Sequence, residues 1–209
     1  LEPYKQLYYN ILIYRTPLMY LKFKRLFDFL ISFAILLLLF PLFIIVAVLI
    51  KLDSKGPIFY LQSRVGENGR VFRIYKLRTM TNKERDPNVK QTYLQDPDVT
   101  RIGGLLRRFK IDELPQIWNV FIGDMSLVGP RPALPSLYEK FGEIAKKRCE
   151  VRPGMTGWAQ VNGNIYLPWE ERLCLDREYV DRMSFMLDLR ILVKTVAIVL
   201  FGEEKYIKK

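Results

Sequence analysis

Residues 29–50 read FLISFAILLLLFPLFIIVAVLI: twenty-two residues without a charge, broken only by Ser32 and Pro41. As a straight α-helix this stretch is ~33 Å long, enough to cross a hydrocarbon core of ~30 Å. It is too long for the apolar region of a secretory signal, 28 residues precede it, and no small-residue cleavage site follows, so it reads as a membrane segment. Pro41 lies just past its middle, where it removes a backbone donor and crowds the preceding turn. Each arm is then about 10–12 residues, or ~15–18 Å, half a membrane. Both flanks are basic, with Lys22, Lys24 and Arg25 before and Lys51 and Lys55 after, and cytoplasmic preference pulls both ends to one side. Two arrangements satisfy these features: a segment that enters, breaks at Pro41 and leaves by the same face, or a spanning helix kinked at proline. Ile191 to Phe201 is too short for a second span and contains Lys194.

Outside this stretch the composition narrows the chemistry. The chain has 209 residues, no His, two Cys, and 33 Lys plus Arg against 22 Asp plus Glu, a formal charge of +11. That length fits one domain with a small appendage and can bury a core. Without His there is no Ser-His-Asp triad, no Cys-His pair, no HExxH zinc site and no imidazole base. Cys149 and Cys174 form neither a CxxC nor a four-thiolate site, which points to a reducing, cytoplasm-facing compartment. Acid–base and nucleophilic work falls to carboxylates, Lys, Tyr or water. The charge is concentrated at residues 1–25 (+4), 51–80 (+5) and 99–111 (+4). Such blocks suit nucleic acid, a membrane surface or a phosphorylated substrate. The first block, with Lys51 and Lys55, adjoins the membrane segment and is expected to hold an anionic leaflet.

Residues 1–21 carry Tyr4, Tyr8, Tyr9, Tyr14 and Tyr20 with Lys5 and Arg15, which suits a membrane interface, a partner surface or an ordinary docked helix end. The start without Met is read as a cut from a longer chain. After Gly56-Pro57, Ile58 to Gln62 and Val71 to Leu77 read as strands joined by the turn Gly66-Glu67-Asn68-Gly69. Residues 81–98 read as a polar mobile loop, Leu105 to Ile111 as a basic amphipathic stretch, and 123–132 as a turn-rich connection. Helices are expected from Pro115 to Ile122 and at about 134–148, 168–183 and 185–201. The last of these packs on the domain or lies in the interface.

The richest stretch is Arg107-Arg108-Phe109-Lys110-Ile111-Asp112-Glu113-Leu114-Pro115-Gln116. A carboxylate can attack phosphorus to form an acyl phosphate, and adjoining cations hold it ionised while neutralising substrate phosphates. A helix starting near Pro115 brings its positive end to both carboxylates. The second carboxylate serves as base or helps hold Mg²⁺, which takes one or two carboxylates plus phosphate oxygens. The plain alternative is that Asp112 and Glu113 only cap the next helix. Lys76 and Arg78 share a strand face beside Thr79 and suit a phosphate, or are solvated. Gly129-Pro130-Arg131-Pro132 holds one arginine stiffly, and Val151-Arg152-Pro153-Gly154-Met155-Thr156-Gly157-Trp158 is a second rigid turn with an exposed-looking aromatic. Each is also an ordinary surface turn.

In order, the chain shows Arg25 leading into an apolar segment with central Pro, then Tyr-Lys-x-Arg-Thr-Met, Asp-Glu-Leu-Pro-Gln, Gly-Asp-Met-Ser-Leu-Val-Gly-Pro-Arg-Pro and Val-Arg-Pro-Gly-Met-Thr-Gly. This series resembles the monotopic phosphoglycosyl transferases, the bacterial sugar transferase family, from about Lys24 to Tyr206. The resemblance implies a mostly α fold with a small β-hairpin, in which a re-entrant membrane helix-break-helix (22–55) follows an N-terminal linker or interfacial segment (1–21). A cytoplasmic catalytic domain with amphipathic interfacial helices (56–209) completes it. The implied enzyme is a UDP-sugar:polyprenyl-phosphate sugar-1-phosphate transferase that releases UMP at an early membrane step of exopolysaccharide, capsule, O-antigen or glycoprotein glycan assembly. Asp112 is then the nucleophile that carries a covalent phospho-sugar, and Glu113 completes the dyad and assists attack by polyprenyl phosphate. Lys76, Arg78, Arg107, Arg131 and Arg152 become substrate-binding residues, Mg²⁺ the cofactor beside Asp112, and Pro41 the membrane break. The implied partners are a UDP-sugar, polyprenyl phosphate (undecaprenyl phosphate in bacteria) and inner-membrane phospholipid at the cytoplasmic face. A homodimer is left open and no nucleic acid is implied. The segment before Lys22 resembles the linker end of larger members. Phe40 departs from the family, which often has Ser before the break proline; Ser can satisfy a freed carbonyl and Phe cannot. The rival reading from a different class is a membrane-anchored module that binds anionic lipid through its basic flanks and tolerates loss of Asp112.

Overall fold

A computed structural model describes residues 18–81, 96 and 98–202. Residues 1–17, most of the expected loop at 81–98 and residues 203–209 lie outside the described residues, and with them Tyr4, Tyr8, Tyr9 and Tyr14. The apolar stretch forms one helix, α1 (Leu18–Asp53), with Pro41 inside it. It takes in residues 18–21, which the sequence assigned to the preceding segment. By length and composition α1 can cross a membrane: the mean hydropathy of its most apolar 18 residues is 3.3, and only 11% of them are buried.

Both sides of Pro41 dock on the same folded body. On the first side, Phe29 stacks on Phe121 at 5.0 Å and Arg25 donates to the Val120 and Phe121 carbonyls at 2.7 Å each. Buried Asp28 accepts the Leu127 N–H at 3.1 Å. On the second side, Val46 and Ile50 pack with Leu77 and Leu106. Arg78 donates to the Ser54 carbonyl at 2.6 Å and to Ser54 Oγ at 2.9 Å, and Asp53 accepts the Ile102 N–H at 3.0 Å.

Strands β1 (Phe59–Val65) and β2 (Val71–Leu77) form the expected antiparallel hairpin, in register from Phe59 opposite Leu77 to Val65 opposite Val71. Its first strand runs three residues beyond Gln62, because Val65 is buried and bridges to Ala133. Helix α2 (Arg101–Arg108) begins earlier than the basic stretch read from sequence. Thr100 caps it by accepting the Gly103 N–H at 2.9 Å. Gly103 is required there: a Cβ would stand 2.0 Å from the Thr79 carbonyl oxygen. Helix α3 (Gln116–Ile122) follows Pro115 as expected and stops at Gly123 in the left-handed region, φ 94°.

The connection after α3, read as turns, contains strand β3 (Ser126–Val128). After α4 (Pro135–Arg148) comes β4 (Gly154–Thr156), which pairs with β3 in parallel. Gly154 allows this contact, since a Cβ there would lie 2.1 Å from the Gly129 nitrogen. Two strands of three residues carry no alternating pattern, which is why periodicity missed them. The short α5 (Trp158–Val161), α6 (Trp169–Arg182) and α7 (Phe185–Phe201) complete the body. Trp158 is not an exposed aromatic: Arg190 and Lys194 lie over its ring and its Nε1 donates to Glu178 at 3.1 Å. In α7, Ile191 is buried while Val193, Val196 and Leu200 are exposed, an apolar face left uncovered by the described residues.

The core gathers Ile74, Ile117, Val120, Met125, Tyr179 and Ile191 from β2, α3, the turn after α3, α6 and α7. Asp188 ties α1 to it. Its carboxylate accepts from Tyr20 at 2.7 Å and Tyr179 at 2.8 Å and pairs with Lys24. Of the basic block at residues 1–25 expected at a lipid surface, Lys24 and Arg25 need correction, being spent on internal contacts, while Lys5 and Arg15 lie outside the described residues. Lys22, Lys51 and Lys55 remain exposed. Removing one partner of a buried ion pair strands the other, so Asp188→Ala is expected to lower unfolding free energy by about 3–5 kcal/mol. Tyr20→Phe removes one hydrogen bond and should cost about 1 kcal/mol. Denaturant unfolding in detergent measures both; equal losses would contradict the ranking.

Candidate active site

The Asp-Glu pair lies on a turn shaped by its neighbours. Helix α2 ends at Phe109, and Lys110 takes a left-handed conformation, φ 55°. That reverses the chain into a single 3-10 turn, Ile111–Glu113, before Pro115 opens α3. Buried Asn119 then fixes α3 to the hairpin: its Nδ2 donates to the Arg73 carbonyl at 2.8 Å and its Oδ1 accepts the Tyr75 N–H at 3.1 Å. This lock is one residue from Lys76, so β2 delivers that lysine to the turn.

Glu113 is where three segments meet. Lys76 Nζ lies 2.8 Å from Glu113 Oε1. Arg131, on the turn between β3 and α4, donates to Oε1 at 2.5 Å and to Oε2 at 3.3 Å. Among the described residues Asp112 has no ion pair and no hydrogen bond to another residue. Arg107 donates through Nε to Thr79 Oγ1 at 2.8 Å, and its charge reaches Asp112.

The electrostatics split the pair. Burial pushes the Asp112 carboxyl up, and the negative Glu113 pushes it further, against the pull of Lys76 and Arg107. Burial also acts to raise Glu113, but Arg131 and Lys76 outweigh it and hold that carboxyl well below the usual range. The sequence reading had neighbouring cations holding Asp112 ionised. In the structure Arg107 of that stretch does pull Asp112 down, but burial and Glu113 outweigh it, while two cations from other segments, Lys76 and Arg131, close on Glu113.

Lys76, Asp112, Glu113 and Arg131 are thus brought together, with Arg107 alongside. Arg78 and Arg152 are placed elsewhere. Arg78 is buried against the end of α1, where its guanidinium serves the Ser54 and Ile50 carbonyls. Arg152 pairs with Glu67 of the hairpin turn at 3.4 Å. Alternation puts Arg78 on the face of Lys76, but β2 ends at Leu77, so the parity no longer applies. Sequence reasoning passed over Arg64. It donates to the Pro132 carbonyl at 3.2 Å and to Gln62 at 2.7 Å. Burial and the adjacent Arg131 lower its guanidinium to about 10, with Glu113 opposing them. The available signal was parity: Tyr60 faces Lys76 across the hairpin, and Arg64 shares the face of Tyr60.

No group of three or more metal-ligating side chains occurs among the described residues. The donor set still fits a hard divalent cation. Mg²⁺ takes one or two carboxylates and completes its shell with water and phosphate oxygens, and Asp112 offers a carboxylate with no ion pair among the described residues, beside Lys76 and Arg107.

Comparison with known proteins gives the family. A family described as "Bacterial sugar transferase" matches residues 19–202. The chain is 44% identical over 196 residues to an undecaprenyl-phosphate glucose phosphotransferase of Komagataeibacter xylinus, covering 88% of this chain and 37% of that protein. It is 44% identical over 181 residues to the uncharacterized sugar transferase EpsL of Bacillus subtilis, covering 86% of this chain and 88% of EpsL. It is 38% identical over 194 residues to the UDP-glucose:undecaprenyl-phosphate glucose-1-phosphate transferase of Escherichia coli, covering 88% of this chain and 42% of that protein. The chain therefore spans well under half the length of two of these relatives and most of the third. With the match running from α1 through α7, the chain belongs to the bacterial sugar transferase family.

Proposed function

We propose that this chain transfers a sugar-1-phosphate from a UDP-sugar to undecaprenyl phosphate through a covalent phospho-sugar on Asp112. The observation that carries this reading is the asymmetry of the dyad: an uncommitted Asp112 beside a Glu113 already neutralised by Lys76 and Arg131. The relatives named for glucose phosphotransfer to undecaprenyl phosphate supply the donor and acceptor classes. Exopolysaccharide production proteins PSS and ExoY, 42% and 36% identical, supply the setting.

In the first step an Asp112 carboxylate oxygen attacks the β-phosphorus in line. The bond from that phosphorus to the bridging oxygen breaks, and UMP leaves. In the second step an oxygen of undecaprenyl phosphate attacks the same phosphorus. The aspartyl–phosphorus bond breaks, the carboxylate is regenerated and an undecaprenyl diphosphate sugar is formed. Both steps need positioning and charge neutralisation more than proton transfer, which suits a chain without histidine. Lys76 and Arg131 bind the diphosphate, and Arg107 neutralises charge near Asp112. Glu113 keeps both cations in place before substrate arrives; a carboxyl held so far down is a weak base. Mg²⁺ held at Asp112 would neutralise phosphate charge. Asp112→Asn should reduce UMP release from a panel of UDP-sugars by at least about 10³-fold, since an amide is not a usable nucleophile. Full turnover by that variant would refute the assignment.

The same reading places α1 in the cytoplasmic leaflet of the inner membrane as a re-entrant segment. Its support is that residues on both sides of Pro41 dock on one polar body, which cannot occupy both sides of a bilayer. The exposed apolar face of α7 would then lie along the interface, with exposed Lys22, Lys51 and Lys55 at anionic headgroups. Cysteine labelling tests this. In a Cys174→Ser background, Met19→Cys and Pro57→Cys, both at exposed positions, should react with an impermeant maleimide from the same side of the vesicle. Reaction from opposite sides would mean a spanning helix.

A further inference from the structure

The turn that presents Arg131 is gripped from outside at three successive carbonyls. Arg148, in the last turn of α4, donates to the Arg131 carbonyl. Arg64 of β1 donates to the Pro132 carbonyl at 3.2 Å, and the Val65 N–H to the Ala133 carbonyl at 2.9 Å. Arg148 is in turn paired with Asp176 of α6 at 2.9 Å, and both side chains are almost wholly buried, 6% and 2% exposed. Burial pushes the Asp176 carboxyl up to about 6 against the pull of Arg148 and Arg172. This pair is therefore maintained at a desolvation cost.

Such a pair is a poor device for stability alone, because apolar residues of similar volume often do as well or better. It does supply something an apolar pair cannot: a rigid planar donor aimed at the carbonyl of the residue that holds Glu113. We propose that the Arg148–Asp176 pair positions Arg131 for the diphosphate of the nucleotide sugar. Asp176 orients the Arg148 guanidinium, Arg148 fixes the Arg131 carbonyl, and the Arg131 side chain leaves the turn in the direction of Glu113. Neither Arg148 nor Asp176 touches substrate; both act through Arg131. The inference rests on the reading of Arg131 as a diphosphate ligand given above. It adds two positioning residues that lie in helices away from the dyad's own turn.

The test is a double-mutant cycle on the full chain in detergent or nanodiscs, read as KM for the UDP-sugar and kcat. Arg148→Lys keeps the charge opposite Asp176 but loses the planar fork that serves two acceptors. It should raise KM about tenfold and change kcat by less than about threefold. Arg131→Ala should raise KM at least as much. The Arg131→Ala/Arg148→Lys double variant should be no worse than Arg131→Ala alone, because Arg148 has nothing left to position. Asp176→Asn, close in shape to the native residue, carries the same cycle if Arg148→Lys does not fold. Effects that multiply in the double variant would overturn the inference while leaving the site reading intact, since a purely structural role weakens every background equally. An unchanged KM in Arg131→Ala would overturn both.

Discussion

Two adjacent carboxylates cannot share the same cations equally, and the architecture around Asp112 and Glu113 follows from how that conflict is settled. Lys76 arrives on a strand, Arg131 on a turn, and the pair itself on a 3-10 turn. The two cations converge on Glu113, so its charge is fixed and compensated. Among the described residues Asp112 has no ion pair, and burial and its negative neighbour raise its carboxyl against the pull of Lys76 and Arg107. On the proposed reading, in which Asp112 attacks phosphorus, that isolation is an advantage. A carboxylate clamped between two cations would have to give up both bonds before reacting, whereas Asp112 gives up none. On the same reading Glu113 stands in for the substrate's negative charge on Lys76 and Arg131.

The apolar helix depends on a second set of buried polar contacts. An exposed apolar helix that can cross a membrane has little hydrophobic reason to stay with a polar body. Here it is held by Asp188 with Tyr20 and Lys24, by Arg25 on the carbonyls that end α3, and by Arg78 on the carbonyls that end α1. These contacts join the two halves of the molecule directly. Helix α3, which Arg25 caps, also carries Asn119, the lock that sets Lys76 against Glu113. Leu77, beside Lys76, packs on Val46 and Ile50. Placement of the apolar helix and placement of Lys76 against Glu113 are thus parts of one packing arrangement. On the proposed reading, this coupling brings a water-soluble nucleotide sugar and a lipid phosphate to one site.

Much of this was legible because it depends on local pattern. The hairpin showed in two apolar runs about an Asn-Gly turn, the later helices in their periodicity, and the dyad in two carboxylates after a basic stretch. The order of motifs carried the family. What was not legible depends on contacts between distant segments. Nothing near Lys24 or Arg25 announces that their charges are used internally, because the partners lie at Asp188 and at the end of α3. The pairing of β3 with β4 rests on close backbone approach at Gly129 and Gly154, which leaves no period in the sequence. Arg78 and Arg152 look like Arg131 in one dimension. Burial sends the first to the end of α1, and an ion pair with Glu67 sends the second to the hairpin turn.

The central claim is that Asp112 itself carries the phospho-sugar between the two half-reactions. Intact-protein mass spectrometry after mixing with UDP-sugar and Mg²⁺, in the absence of undecaprenyl phosphate, tests it most directly. The account predicts a mass increase of one sugar phosphate that maps to the peptide containing Asp112 and disappears when undecaprenyl phosphate is added. Undiminished turnover on adding the lipid, with no adduct trapped at any time before it, would contradict the account and favour direct transfer from nucleotide to lipid.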